Sequence, residues 1–313
     1  MKIIKKLMPI ALAVFFFGLL ATSIVLADDA DSEGWQFVQE NGRTYYKKGE
    51  IKEKAWRVID GKTYYFDHVS GEMVVGWQYI PFPSKGSTIG PYPNGLRLES
   101  MPMPQWYYFG QDGVLQEFVG KQVLEAKTAT NTNKHHGEQY DSPAEKRVYY
   151  FEDQRSYHTL KTGWVHDEGH WYYLQKDSGF DARIDSLTVG ELVRGWTNDN
   201  STWYYLDTTS AAMQTGWKQL GNKWYYLRSS GAMATGWYQE GSTWYYLDQS
   251  NGDMKTGWQY LGNKWYYLRS SGAMATGWFQ VGSKWYYAYS SGALAVNTTV
   301  DGYSVNYNGE WVQ

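Results

Sequence analysis

The chain has 313 residues and an unusually high aromatic content, with 17 tryptophans and 29 tyrosines. Its formal net charge of −3 excludes a strong electrostatic field for nucleic acid or for an anionic membrane. The absence of cysteine excludes disulfides and thiol catalysis, so an exported form must be stabilised by burial or by ligand.

The first 27 residues have the pattern of a signal peptide. Three lysines give a positive start, an apolar run covers 7–20, and Val25-Leu26-Ala27 is a small-residue cleavage site. The apolar run is short for a membrane span, and an uncleaved anchor is the alternative. We therefore expect a secreted, soluble mature chain with no membrane insertion after cleavage.

Residues 28–190 are predicted to form an N-terminal module of degenerate copies of one short repeat. A tryptophan precedes the Tyr-Tyr pair in each of the first two copies, but Thr44 and Thr63 stand where later copies have a second tryptophan. We expect the first insertion, which is rich in proline, to be a loop, and the second to hold a short helix and a polar loop. The insertions that interrupt the copies are 78–105, 116–147 and 175–194.

Residues 191–313 are predicted to form a C-terminal module of consensus repeats with a terminal cap. Gly-Trp pairs recur at steps of 20 or 21 residues, and a second tryptophan follows each first one by seven. A period this strict indicates stacked copies of one small unit. The pairs begin at Gly195, Gly216, Gly236, Gly257 and Gly277.

The copy at 216–235 predicts a β-hairpin. Gly221-Asn222 is typical of a two-residue turn, which pairs Trp217 with Tyr226 and Gln219 with Trp224. Because strand side chains alternate, one face carries Trp217, Trp224 and Tyr226, and the other carries Leu220, Tyr225 and Leu227. A lone hairpin is marginal in water, so the fold class is an all-β solenoid of stacked β-hairpins. The glycine that opens each copy indicates either a close backbone approach or a positive φ.

The face that carries both tryptophans predicts a binding site. Two indoles, with a tyrosine and an apolar residue of the next copy, describe an aromatic box for a quaternary ammonium group. The alternative is that the rings are core. A 20-residue unit is too small to bury all its rings, however, and exposed aromatics at every period favour binding.

The copies TGWKQLGNKWYYLRSSGAMATGW and TGWQYLGNKWYYLRSSGAMATGW resemble the choline-binding repeats of streptococcal cell-surface proteins. The match is strict over about 195–295 and looser over 34–174. The resemblance implies a left-handed superhelix of hairpins and choline or phosphocholine as ligand, with no cofactor. It further implies that the protein binds the phosphocholine groups of teichoic and lipoteichoic acids and is retained non-covalently at the cell wall surface.

Carried over by position, each box takes both tryptophans of one hairpin and a tyrosine and an apolar residue of the next. We choose the second tyrosine of each pair on the face argument, and the first tyrosine is the competing choice. Trp278 and Trp285 have no full hairpin after them, and Tyr307 and Trp311 are candidates for a cap, so we do not expect a box there. The expected choline-binding sets are Trp196, Trp203, Tyr226, Met233; Trp217, Trp224, Tyr246, Met254; Trp237, Trp244, Tyr267, Met274; and Trp258, Trp265, Tyr287, Leu294.

Trp164 and Trp171 keep the spacing of a complete copy and are a further candidate site. Copies before residue 163 lack one or both tryptophans or carry a long insertion. Because losing a tryptophan removes a wall of the box, we predict that these copies bind choline poorly.

We predict a non-enzymatic protein, because the stretches between copies are too short for a catalytic domain of about 100 residues. The alternative of a wall hydrolase would need a carboxylate pair such as Glu138 with Glu145. His135 and His136 with Glu138 and Asp141 are conceivable metal ligands, but we expect solvated side chains and no metal.

For the N-terminal module the resemblance implies a regulator of a choline-dependent wall lytic enzyme. An adhesin that presents the N-terminal loops to host proteins is the alternative, and glucan binding is a weaker one.

Overall fold

The computed structural model describes residues 24–25, 34–81, 104–138, 145–152, 158–176 and 185–313. Leu26 and Ala27 of the proposed cleavage site and most of the first insertion lie outside the described residues. Within them the regular structure is β-strand, apart from a short 3-10 helix at Asp185–Thr188. No helix in this part of the chain is long and apolar enough to span a bilayer.

Consecutive antiparallel strand pairs form a series of hairpins, which we number in chain order. Hairpins 1 to 5 are β2–β3 (Gln36–Glu40, Arg43–Lys48), β5–β6 (Ala55–Ile59, Lys62–Phe66), β7–β8 (Val74–Pro81, Pro104–Phe109), β9–β11 (Gly120–Glu125, Lys146–Phe151) and β12–β13 (Gly163–Asp167, His170–Leu174). Hairpins 6 to 10 are β14–β15 (Gly195–Asp199, Thr202–Leu206), β16–β17 (Gly216–Leu220, Lys223–Leu227), β18–β19 (Gly236–Glu240, Thr243–Leu247), β20–β21 (Gly257–Leu261, Lys264–Leu268) and β22–β23 (Gly277–Val281, Lys284–Ala288).

The remaining strands extend or close these hairpins. β1 (Ile24–Val25) and β4 (Ile51–Lys52) flank hairpin 1, and β10 (Lys134–His135) pairs with β7. A three-stranded terminal sheet follows hairpin 10. It is formed by β24 (Thr298–Val300), β25 (Tyr303–Val305) and β26 (Trp311–Val312).

The predicted hairpin register is confirmed. In hairpin 7, Trp217 pairs with Tyr226 and Gln219 pairs with Trp224 across a two-residue turn. In hairpin 9 both turn residues have positive φ, 55° at Gly262 and 62° at Asn263. Positive φ at both positions is the type I′ turn, whose twist matches that of the paired strands.

The glycine that opens each copy has a positive φ, 74° at Gly216, and a Cβ there would meet open space. Of the two predicted reasons for these glycines, a close backbone approach or a positive φ, only the positive φ therefore applies. Close approach occurs instead at the linker glycines. At Gly252, where φ is 77°, a Cβ would lie 2.4 Å from Sδ of Met233.

One backbone hydrogen bond recurs between successive hairpins. The N–H of Met254, in the linker after hairpin 8, donates to the carbonyl of Trp224 in hairpin 7 at 2.7 Å. Met233 and Met274 make the same bond to Trp203 and Trp244. The last residue of each consensus hairpin is fully buried, as at Leu227 and Leu247, so stacking provides the core that one hairpin lacks.

The degenerate copies stack by the same bond, because it uses backbone atoms only. Met73 donates to the carbonyl of Thr44 and Leu115 to that of Thr63, both at 2.8 Å. Here large aromatic side chains fill the core instead, including the fully buried Trp77 and Phe66.

The second insertion differs from the prediction of a short helix and a polar loop. Gly120–Glu125 is a strand that pairs with Lys146–Phe151, which makes hairpin 4. Lys121 and Val148 stand where the two tryptophans of a consensus copy would be. Without the tryptophans the sequence has no recognisable repeat, although the backbone has kept one.

The contacts divide the chain into two compact units. Unit 1 is Met1–Lys161 with Asp181–Thr188, and unit 2 is Thr162–Phe180 with Val189–Gln313. The predicted module boundary at 190/191 is therefore later than the contact boundary. Hairpin 5 falls in unit 2 because it keeps both tryptophans and packs against hairpin 6, with Trp164 and Tyr204 centroids 4.7 Å apart.

Candidate functional site

Aromatic pockets lie beside the tryptophan-bearing faces of hairpins 5, 6, 8 and 10, and we call the site beside hairpin n box n. In box 8, Trp237 and Trp244 lie at 84° with centroids 6.4 Å apart. Tyr266 of hairpin 9 lies 4.9 Å from Trp237, and Met274 of the following linker completes the wall. Ser290 and Ser291 form the rim of a cavity of about 310 Å³.

Boxes 5 and 6 repeat this arrangement. In box 6 the walls are Trp196, Trp203, Tyr225 and Met233, around a cavity of about 280 Å³. In box 5 the candidate pair Trp164 and Trp171 is joined by Tyr204 and Met213 around about 220 Å³. The sequence-predicted tryptophans and methionine of box 6 are thus brought together.

The tyrosine that lines each of these cavities is the first of its Tyr-Tyr pair. The prediction that the second tyrosine lines the cavity is therefore wrong. Tyr225 lies 5.0 Å from Trp196 of the preceding hairpin, whereas Tyr226 packs against Trp217 of its own hairpin at 5.2 Å. Consecutive hairpins meet through opposite faces, so the tryptophan face of one contacts the first-tyrosine face of the next. Tyr246, Tyr267 and Tyr287 likewise pack on Trp237, Trp258 and Trp278 of their own hairpins.

Boxes 7 and 9 contain an additional ring from the following hairpin, Tyr238 at 6.0 Å from Trp217 in box 7 and Phe279 at 5.9 Å from Trp258 in box 9. In box 7, Trp217 contacts Tyr245 at 4.9 Å, and Tyr238 stacks on Tyr226 at 3.9 Å. In box 9, Trp258 and Trp265 lie at 87°, and Tyr286 lies 4.9 Å from Trp258. In the linker position, box 7 has Met254 and box 9 has Leu294. Leu294 donates its N–H to the carbonyl of Trp265, as the methionines do to the second tryptophans of the other hairpins.

Box 10 is closed by the terminal sheet rather than by another hairpin. Trp278, Trp285, Tyr303 and Trp311 line a cavity of about 330 Å³. Trp311 therefore caps the array as expected, whereas Tyr307 is 74% exposed and does not line the cavity. Tyr303 is the wall that sequence reasoning missed, since the terminal segment does not repeat the Trp-Tyr-Tyr text.

The second tryptophan of every consensus hairpin is open to solvent. Its exposed fraction runs from 38% at Trp244 to 46% at Trp171. At the same position in unit 1, Trp106 of hairpin 3 is only 3% exposed, and the first tryptophans Trp56 and Trp77 are also 3% exposed or less. The same sequence position therefore forms an accessible wall in unit 2 and part of the core in unit 1.

Carboxylates border two boxes without entering them. The indole N–H of Trp164 donates to Asp199 at 3.0 Å, and that of Trp217 donates to Glu240 at 3.2 Å. Lys176 lies 2.7 Å from Asp199 and holds the pKa of that carboxyl below its usual range, with help from the Trp164 N–H. The carboxylates thereby fix the orientation of the first indole in boxes 5 and 7.

One group in unit 1 has the composition of a metal site. Glu72, His135 and Glu138 bring their ligand atoms within 4.8 Å of one another. Arg43, however, forms ion pairs with both Glu72 and Glu138. Because a guanidinium already compensates both carboxylates, we interpret this group as an ion-pair network. His136 bonds to Thr44 instead, and Asp141 lies outside the described residues.

Comparisons with known proteins identify the repeats. The family model of the choline-binding repeat matches residues 214–256 and 255–298. The model of the putative cell wall binding repeat matches residues 104–115, 162–179 and 195–209. No curated protein sequence matches the chain.

Solved structures resemble the chain over most of its length. CbpJ from Streptococcus pneumoniae TIGR4 is 65% identical with a TM-score of 0.73, over 89% of this chain and 100% of that one. Choline binding protein F from Streptococcus pneumoniae, in the presence of a peptidoglycan analogue, is 55% identical with a TM-score of 0.71, over 89% and 99%. The stacked hairpins, the aromatic boxes and these matches place the chain in the choline-binding protein family.

Proposed function

We propose that unit 2 anchors the protein non-covalently at the cell wall surface by binding the phosphocholine of teichoic and lipoteichoic acids. The main observation in support of this proposal is the open aromatic pocket of box 8, in which two perpendicular indoles and a tyrosine surround one cavity. Ring faces attract a cation through their quadrupole, and no desolvation of a strongly hydrated ammonium is needed when the cation is quaternary.

Several boxes along one array support retention on a polymer. A single box is expected to bind choline in the millimolar range, about −4 kcal/mol. Boxes that engage neighbouring phosphocholine groups on one chain raise the avidity by about 10²–10⁴-fold. A similar structure, of CbpF in complex with ipratropium, supports a quaternary ammonium as the ligand, since the nitrogen of ipratropium is quaternary.

Retention and elution of the full-length protein test this proposal. The protein is expected to bind choline-bearing walls and to elute with millimolar free choline, because choline competes box by box. Dextran at the same concentration should not elute it. Retention that resists choline, or elution by dextran, would contradict a choline anchor, and the second result would favour glucan binding.

We assign unit 1 a non-catalytic role as a regulator of a choline-dependent wall lytic enzyme. What supports this is that its hairpins keep the stacking bond of choline-binding repeats while Trp56, Trp77 and Trp106 are buried, so hairpins 2 and 3 present repeats without open boxes. Purified protein is expected to slow wall lysis by a choline-dependent muramidase and to release no wall fragments itself. Unchanged lysis would favour the adhesin, and intrinsic wall digestion would favour a hydrolase.

A further inference from the structure

Box 3 in unit 1 has the wall geometry of the boxes in unit 2. Trp77 and Trp106 have centroids 6.3 Å apart at 85°, against 6.4 Å and 84° for Trp237 and Trp244 in box 8. Tyr149, the first tyrosine of hairpin 4, lies 4.8 Å from Trp77. Leu160 takes the linker position, because its N–H donates to the carbonyl of Trp106 at 3.0 Å. All four walls of a box are therefore present.

The ammonium of Lys127 lies among the three rings of box 3. Its Nζ is 4.3 Å from the centroid of Tyr149, 4.7 Å from that of Trp77 and 5.4 Å from that of Trp106. Lys127 is 4% exposed, so the ammonium has left bulk water for these rings. Three ring faces within 6 Å of one cation form the arrangement that recognises ammonium ligands.

The backbone around Lys127 is bonded to the same rings. The indole N–H of Trp77 donates to the carbonyl of Glu125 at 2.9 Å, and the N–H of Lys127 lies 3.3 Å from the Tyr149 hydroxyl. The Asn131 side chain holds the turn by donating to the carbonyl of Ala126 at 2.9 Å. The lysine is thus delivered into box 3 by a fixed turn of the insertion between β9 and β11.

We propose that Lys127 is an internal ligand of box 3, an ammonium site that would otherwise accept a quaternary ammonium group. Its primary ammonium takes the place that choline takes in the boxes of unit 2. This comparison with choline rests on the proposed function. The internal ligand keeps wall polymer out of hairpin 3 and holds the insertion against the repeats. Box 3 is therefore complete but filled by the Lys127 side chain. The boxes of hairpins 1 and 2 are instead incomplete, because Thr44 and Thr63 replace their second tryptophan.

Removing the ammonium from the full-length protein tests the occupation. Lys127→Ala is expected to bind one more choline per chain than the wild type in calorimetric titration, because it vacates the space among the three rings. Lys127→Arg keeps a cation in the box, and Lys127→Met keeps the length of the side chain. Both controls should show the wild-type number of sites.

The outcomes separate this inference from the anchor proposal. A folded Lys127→Ala variant that binds only the wild-type number of cholines would overturn the internal ligand and leave the anchor intact. Absence of choline binding in the wild type and in every variant would overturn the anchor instead. Folding of the variants is checked by circular dichroism and by the melting transition of unit 1.

A second measurement reads the position of Lys127 in the wild type itself. In the wild type with ¹³C-labelled lysine, the Cε protons of Lys127 should resonate upfield of those of exposed lysines, because three ring faces shield them. The signal is assigned as the one that Lys127→Arg removes. It should stay in place when choline saturates the boxes of unit 2. An ordinary lysine chemical shift would show that the ammonium is outside the box and would overturn the proposal.

Discussion

At the scale of single residues, two neighbouring tyrosines have different roles. Tyr266 faces the preceding hairpin and lines box 8, while Tyr267 faces the following one and packs on Trp258 at 5.0 Å. Strand alternation accounts for the difference, since adjacent side chains point to opposite faces of the hairpin.

The two tyrosines are expected to respond differently to substitution. Tyr266→Leu removes one ring from box 8, and a ring contributes about 0.5–2 kcal/mol to holding a cation. Choline affinity at that box should fall by about 2- to 30-fold. Titration of the full-length variant should therefore resolve one weakened site. Tyr267→Leu is the control for losing a tyrosine, and its box 8 should keep wild-type affinity. Equal weakening of box 8 in both variants would contradict the assignment.

At the scale of the repeat element, a linker glycine positions the apolar wall of a box. Gly292, in the linker after hairpin 10, has a φ of 81°, and a Cβ there would lie 2.2 Å from Sδ of Met274. Met274 is the apolar wall of box 8, which hairpins 8 and 9 form. Each linker therefore supports a box that opens two hairpins earlier, and an isolated repeat cannot form a complete site.

Gly292→Ala is expected to damage box 8 as well as stability. The left-handed backbone costs an alanine about 1–2 kcal/mol, and the overlap with Met274 displaces a wall of the box. Gly282→Ala in the turn of hairpin 10 is a matched control, because its φ is 62° and its Cβ would meet open space. Denaturation should show a loss of stability in both variants. Only Gly292→Ala should weaken choline binding at box 8, and a similar loss in Gly282→Ala would refute this coupling.

At the scale of the whole molecule, one repeat has been used in two ways. In unit 2 the second tryptophan of each hairpin is exposed, and ligand would complete the packing of its box. In unit 1 the tryptophans of hairpins 2 and 3 are buried among other rings, and Lys127 fills box 3, which retains all four walls. Choline is therefore expected to stabilise the two units unequally.

Calorimetric melting of the full-length protein with increasing choline measures this difference. A site saturated at 100 times its dissociation constant stabilises the folded state by about 2.7 kcal/mol, and several boxes contribute to unit 2. The transition of unit 2 should rise steadily with choline concentration, while that of unit 1 should stay in place. Parallel rises of both transitions would show that unit 1 also binds choline.

The sequence by itself determined the hairpin, its register and the apolar wall of boxes 6 to 9. These follow from local rules, because a two-residue turn sets the pairing and strand alternation sets the faces, as at Trp217 and Tyr226. It also indicated that a box lies between neighbouring copies, because two exposed indoles recur at every period.

Tertiary structure alone decided which surfaces meet and what fills them. Tyr225 rather than Tyr226 lines box 6, because stacking brings opposite faces of consecutive hairpins together. Hairpin 4 left only the Tyr149-Tyr150 pair as a signal in the sequence, and the placement of Lys127 in box 3 left none. Strand pairing needs no particular side chain, and a lysine in a polar insertion reaches a distant ring cluster only through the folded backbone.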